Sequence, residues 1–396
     1  MAFDPLSATA SYIDTIGADA LARSAAYTAG NHWLLLWGLL VGVAVAALII
    51  RSRLLERVES RLGKRGPNAR VFLVSALYFL LAGVLSLPWS MYEGWWREVG
   101  YGRSSQPFHD ALGQNLLGIS ISALLGGLFF IGVYALVRRA GKRWWLWSGA
   151  LAVAAISSVL LVAPVVIEPL FNDYKPLPEG PVRTALTDMA QKAGLSPERI
   201  FIYDGSRQSN NFTANVSGLG PYARIAISDV ALKGASLGEV RAVTGHEIGH
   251  YVLAHVWRSV LLFSLIVMAS FFVADRVYAR IAAVLGSRAP LSSPTGLPVI
   301  MVMVSILSLL AVPLVNALTR LGETQADLYS LETVGLPDDM ATALVKTAEY
   351  RYPRPHPVQE MLFYSHPSVE RRIRMAMEWK SVHGAEPSNR PSPLRP

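Results

Sequence analysis

Cysteine is absent from the 396 residues, which removes disulfides, thiolate metal sites and a cysteine nucleophile together. Charge is scarce as well. Asp, Glu, Lys and Arg make up 16% of the chain against 52% hydrophobic residues, and mean hydropathy is +0.35. Length alone would allow two or three soluble domains, but this balance is that of a polytopic membrane protein. The formal net charge of +8 comes mostly from arginines clustered beside apolar runs, as in loops that flank membrane spans. No stretch interleaves basic and aromatic residues as nucleic-acid modules do, so nucleic acid is not expected as a partner. Residues 1–32 carry Asp4, Asp14 and Asp19 and no basic leader before an apolar core. A cleaved signal peptide is therefore not expected, and this Ala-rich segment reads as a short interfacial helix.

Long uncharged runs are what the chain has in abundance. Trp33–Ile50, Val71–Tyr92, Ala111–Val137 and Trp144–Ile167 each approach the ~20 helical residues that cross a bilayer core of ~30 Å. They define a membrane domain over residues 33–167. Pro88 and Pro164 fall near run ends, and Trp89, Trp95, Trp96, Trp144, Trp145 and Trp147 stand where interfacial anchors are expected. Residues 168–258 change character. A proline-punctuated connector over 168–180 precedes a helix at Pro181–Ala193 and short strands at Arg199–Asp204 and Tyr222–Ser228. Two further apolar runs, Ser259–Ala274 and Ala289–Thr319, form a membrane hairpin over 259–319. Residues 320–383 read as soluble helices and 384–396 as a Pro/Ser-rich disordered tail. The expected fold is mainly α: a polytopic membrane protein of about six transmembrane helices with a small α+β insert.

The insert carries one stretch that specifies a chemistry, Thr244-Gly-His-Glu-Ile-Gly-His-Tyr251, on a helix expected over Leu237–Val256. Four residues turn a helix by about 400°, so His246 and His250 stand one turn apart on the same face. From there both imidazoles reach one zinc ion at roughly 2.0–2.1 Å. Glu247, about 100° round from His246, can act as general base toward the attacking water. A helix whose histidines only satisfy local hydrogen bonds would show the same spacing. His255, nine residues beyond His246, falls about 180° round the same helix and is not expected to be a ligand.

A catalytic zinc takes three protein ligands and keeps one open position. Two crossings of the hairpin return the chain to the side it left, and Gly322-Glu-Thr-Gln-Ala-Asp327 follows directly. Glu323 is thus expected as third ligand, with Asp327, four residues on, as the acceptor that orients a ligand imidazole. An ordinary acid-rich helix start has the same composition.

With these residues in place, the chain resembles the type I CAAX prenyl proteases, integral-membrane zinc endopeptidases of zincin type. The resemblance rests on Pro169-Leu-Phe-Asn172 with Pro176-Leu-Pro-x-Gly180, on His246-Glu-Ile-Gly-His250, on Glu323-x-x-x-Asp327, and on Ser365-His-Pro-Ser-x-Glu-Arg-Arg372. More loosely, Glu98-Val-Gly-Tyr101 resembles the family's Glu-x-Phe-Gly-Phe loop. The resemblance implies one zinc per chain on His246, His250 and Glu323, with Glu247 as base. It also implies that His366 and Arg372 act at the scissile bond, stabilising the oxyanion. Read alone, His366-Pro367 is a helix start. The family's substrate-pairing segment aligns with Thr213, Ala214 and Asn215, where side chains differ but backbone pairing can persist. Tyr222–Ser228 is either the sheet edge for that pairing or a plain core strand. Six spans also depart from the seven typical of the family.

The basic connectors, Arg51 to Arg70 and Arg138 to Arg143, would be cytoplasmic by charge bias, which puts His246 on the opposite face. The family places its site on the cytosolic side. Both frames put every catalytic block on one side of a multi-pass membrane protein, expected in a bacterial-type inner membrane. The expected substrate is a peptide or protein, to which the resemblance adds a C-terminal lipid. A peptidase for membrane-protein quality control and a non-catalytic membrane scaffold are the rival readings; an intact Glu247 speaks against the scaffold.

Overall fold

The computed structural model describes residues 3–218 and 220–384; the expected disordered tail lies, from residue 385 on, outside them. Six helices among the described residues are long and apolar enough to cross a membrane. They are Ala18–Ser52, Pro67–Met91, Phe108–Arg139, Trp144–Val162, His255–Leu285 and Leu297–Val334. Their shared core includes Val74, Phe130, Tyr134, Phe271 and Ile300. Prolines sit where helices tolerate them, Pro67 and Pro298 in first turns. Pro313, inside the last span, is of the kind neighbouring helices accommodate.

The first span begins well before Trp33, because Ala-rich residues from Ala18 onward continue the helix without a break. This extension is a docking face. The Ser24 hydroxyl donates to the Ala348 carbonyl, and the Thr28 hydroxyl accepts from the Tyr352 amide at 3.0 Å. A separate helix at Pro5–Asp14 is capped by the Asp4 carboxylate, which accepts from the amides of Leu6 and Ser7. It buries Ile13 among Ala341, Leu344, Ile373 and Met377. Residues 3–32 therefore pack in part on the C-terminal helices.

The insert holds a four-stranded sheet: β1 (Tyr174–Pro176), β2 (Ile200–Tyr203), β3 (Ala214–Ser217) and β4 (Arg224–Ser228), in the order β1-β2-β4-β3. β2 and β4 run parallel, and the outer pairs are antiparallel. β4 is buried along its whole length and lies inside the sheet. Tyr222–Ser228 therefore does not supply the free edge; β3 does. The sheet packs Ile225 and Ile227 against Leu186 and Ala190 of the Pro181–Lys192 helix and against Val240 and Ile248.

The motif helix spans Leu237–Val252. A reciprocal cap fixes its start: the Ser236 hydroxyl accepts from the Glu239 amide at 3.0 Å, and the Glu239 carboxylate accepts from the Ser236 amide at 2.7 Å. It stops four residues short of the expected Val256. Ala254 adopts a left-handed backbone, φ 54°, and His255 opens the next span. The returning helix, Leu297–Val334, runs unbroken from the membrane through Glu323 and Asp327. It crosses the motif helix so closely that a Cβ on Gly249 would lie 3.1 Å from the Ala326 Cα. The segment pressed against the motif glycines is thus this helix. Helices Pro337–Thr347, Pro357–Phe363 and Val369–His383 complete the same side.

Candidate metal centre and active site

The two long helices bring three ligand atoms to one point. His246 Nε2 and His250 Nε2 are 3.1 Å apart. Glu323 Oε2 lies 3.4 Å from the first and Glu323 Oε1 3.3 Å from the second. Ligands held tetrahedrally at roughly 2.0–2.1 Å from a zinc ion stand about 3.3 Å from one another. These separations are those of three corners of such a site. The set is two imidazoles and a carboxylate, all within 4.8 Å, and Glu323 Oε2 is buried with no hydrogen-bond partner. A divalent cation would satisfy that oxygen, and the residues present fit one.

Each imidazole is turned by a partner on its other nitrogen. His246 Nδ1 is 2.7 Å from Asp327 Oδ1. An ionised acceptor there keeps the proton on Nδ1 and leaves Nε2 a lone pair for a metal. Asp327 is fully buried and is gripped at both oxygens by Arg372, through Nε at 2.7 Å and Nη2 at 2.6 Å. Burial disfavours the Arg372 charge, yet Asp327 overcomes this and raises the guanidinium above its ordinary value. His250 Nδ1 meets His255 Nδ1 at 2.8 Å. The expectation that His255 faces away assumed an unbroken helix, and the break at Ala254 overturns it. Nothing in Val252-Leu253-Ala254 signals that break, since no glycine or proline stands there.

Two clefts flank the centre. One of about 280 Å³ is lined by Glu247, Thr213, Ala214, Arg351, His366 and Arg372 among others. Burial pushes the Glu247 carboxyl upward, against the pull of His246 and His250. His366 Nε2 is 3.2 Å from Glu323 Oε2, and the Ser365 hydroxyl lies 2.9 Å from its Nδ1. Burial and the nearby Arg351 drive this imidazole well below its usual value. It is neutral, and if the hydroxyl donates to Nδ1, Nε2 carries the proton. The other cleft, about 350 Å³, opens beside His250 and is walled by Leu160, Pro164, Trp257 and Val260 from membrane helices and their ends.

β3 joins the two clefts. Ala214 lines the first, Val216 and Ser217 the second. The Thr213 carbonyl accepts from the Ser228 amide at 3.0 Å. The alternation of an antiparallel ladder then commits Asn215 to β4 and turns the amides and carbonyls of Ala214 and Val216 to the free edge. All ten residues singled out from the sequence lie at or beside this site. His255 and Arg351 were not foreseen; for Arg351 the sequence holds no motif.

The chain is similar to known proteins along most of its length. The model of "Peptidase family M48" matches residues 176–380, and that of "CAAX prenyl protease N-terminal, five membrane helices" matches residues 7–173. Four of the candidate spans fall largely in that second range. An uncharacterized metalloprotease of Bacillus subtilis, YhfN, is 28% identical over 77% of this chain and 72% of its own. A CAAX prenyl protease 1 homolog of Arabidopsis thaliana is 26% identical over 80% of this chain and 76% of its own. The crystal structure of S. mikatae Ste24p superposes with a TM-score of 0.72 at 19% identity, covering 91% of this chain and 88% of that one.

Proposed function

The chain belongs to peptidase family M48, a multi-pass membrane metalloprotease acting on protein or peptide substrates, and from that premise we propose a zinc endopeptidase with the following division of labour. The observation that carries the proposal is the convergence of His246, His250 and Glu323 beside Glu247 in one cleft. These three residues would hold Zn²⁺, which supplies Lewis acidity toward the attacking water and the scissile carbonyl. Glu247 takes the proton of that water and passes it to the leaving amine. His366, neutral and aimed through Nε2 at the centre, donates to the oxyanion. Arg372 reinforces that field and holds Asp327, which in turn fixes His246.

The peptide adds as a strand to β3, pairing with the outward backbone of Ala214 and Val216, so main-chain groups supply the affinity. Thr213 and Asn215 frame that edge. The 350 Å³ cleft supports a lipidated substrate, because its apolar walls come from spans and would continue the bilayer's interior toward the metal. The six apolar helices support a multi-pass membrane location, which we take to be a bacterial-type inner membrane.

The test is direct. Purified, zinc-loaded protein is incubated with a farnesylated CAAX peptide, its unfarnesylated twin and casein. Faster cutting of the farnesylated peptide is expected. Equal cutting of casein would favour a quality-control peptidase, and no cutting of any of them with zinc bound would sink the peptidase reading.

A further inference from the structure

Two guanidiniums line the 280 Å³ cleft, Arg372 and Arg351, and one is occupied. Arg372 is gripped by both oxygens of Asp327. Arg351 has neither an ion-pair nor a hydrogen-bond partner among the described residues; its one contact of this kind is the Tyr350 ring, 5.5 Å away. It lines the cleft with Glu247 and His366. The acids nearby are committed, Asp327 to Arg372 and Glu323 to the metal set. Burial pushes the guanidinium below its usual value, against the pull of the more distant Glu323 and Asp327. A half-desolvated cation with open donors is costly until an anion arrives, and a carboxylate matches its fork in bidentate fashion.

Strand polarity says which end of a substrate reaches Arg351. β3 runs from the 280 Å³ cleft at Ala214 to the 350 Å³ cleft at Val216 and Ser217. A peptide added antiparallel, the more stable pairing, runs the other way. Its N-terminal part lies in the apolar membrane-walled cleft and its C-terminal part in the cleft of Arg351. That cleft, about 280 Å³, falls just below the roughly 300–1,000 Å³ usual for ligand sites, so only a short stretch fits beyond the scissile bond. The walls on the way, Val243, Met340, Ala343 and Leu344, are apolar. A chain that ends here needs no exit.

We propose that Arg351 is a specificity-determining residue that anchors the C-terminal carboxylate of the substrate, so that bonds a few residues from a free chain end are selected. This rests on the peptidase reading above. The experiment uses zinc-loaded full-length protein and three peptides alike but for their ends: a free acid, a carboxamide, and a carboxamide whose last residue is Glu. Wild type should show a KM about tenfold or more higher for the carboxamide than for the acid, with kcat little changed. Arg351→Gln should raise KM for the acid to the carboxamide's level while keeping its zinc, and Arg351→Lys should restore part of the preference. Binding of the same peptides to Glu247→Gln protein, followed by fluorescence anisotropy, reads the anchor without cleavage. Acid-over-amide preference in binding with no cutting by wild type would sink the peptidase reading and leave the anchor standing. Acid and amide within twofold in both assays, or a preference that survives in Arg351→Gln, overturns the anchor. Rescue by the terminal Glu carboxamide would overturn the chain-end assignment, placing the carboxylate on a side chain.

Discussion

His250 and His255 meet Nδ1 to Nδ1 at 2.8 Å across a break in the helix, not along it. With His250 Nε2 turned to the metal site, its Nδ1–H donates and the His255 lone pair accepts. His255 then carries its proton on Nε2, which is buried without a partner. Gly322 makes room for the ring, since a Cβ there would lie 3.3 Å from His255 Nδ1. The two ligand imidazoles are therefore held unequally, one by a carboxylate and one by a neutral ring.

From that asymmetry, His255→Ala should weaken zinc affinity by about 10–100-fold, the usual scale for losing an outer partner of a ligand. His255→Asn, which keeps an acceptor, should recover part of it. Zinc remaining after dialysis against graded chelator measures the effect. Retention equal to wild type would show that His255 only fills space.

Asp327→Ala should be the more damaging change. It frees His246 to rotate and leaves the buried Arg372 charge without a partner, a loss of about 3–5 kcal/mol where buried pairs are broken one-sidedly. Thermal unfolding in detergent should show a lowered midpoint beside a loss of zinc. Replacing both residues, Asp327→Asn with Arg372→Gln, should cost less than the two single changes summed.

Much of this site was legible in the sequence because local rules carried it. Helical spacing placed His246 and His250 together, and the parity of two spans returned Glu323 to the same side. What escaped depended on contacts between distant segments. β3 is four polar-to-apolar residues, Ala-Asn-Val-Ser, that take strand form through pairing with β4. The helix stop at Ala254 lacks glycine or proline, and residues 18–32 extend the first span where the C-terminal helices dock on them. Arg351 acquires meaning only from the cleft around it.

The close crossing of the motif and returning helices gives a third prediction. A Cβ on Gly249 would press on the Ala326 backbone at 3.1 Å and on the Tyr329 Cβ at 3.1 Å. Backbone cannot yield as a flexible side chain can. Gly249→Val should therefore push Glu323 away from His246 and His250, costing about 1–3 kcal/mol of stability and reducing zinc content. Gly42→Ala, with nothing within 4 Å of its added Cβ, should change neither.

Topology can be read by fusions. Gly63 and Gly141 follow the first and third spans, and Gly335 follows the last. Compartment-sensitive reporters at Gly63 and Gly141 should agree with each other and disagree with Gly335. A shared signal at all three would break the even-crossing arrangement that delivers Glu323 to the motif helix.

Glu247 separates holding a metal from using it. Its carboxyl lines the cleft beside His246 and Glu323 but is not one of the three clustered ligands. Glu247→Gln keeps the side chain's size and removes the base. Zinc content by elemental analysis should stay at wild-type level while cleavage of a peptide that wild type cuts falls about 10²–10⁴-fold, the usual contribution of a positioned acid–base group. Stripping zinc from wild type with chelator should abolish cutting and adding zinc should restore it, whereas no addition should restore the variant. If Glu247→Gln lost its zinc, the carboxylate would be holding the site together; if it cut at the wild-type rate, another group would be the base.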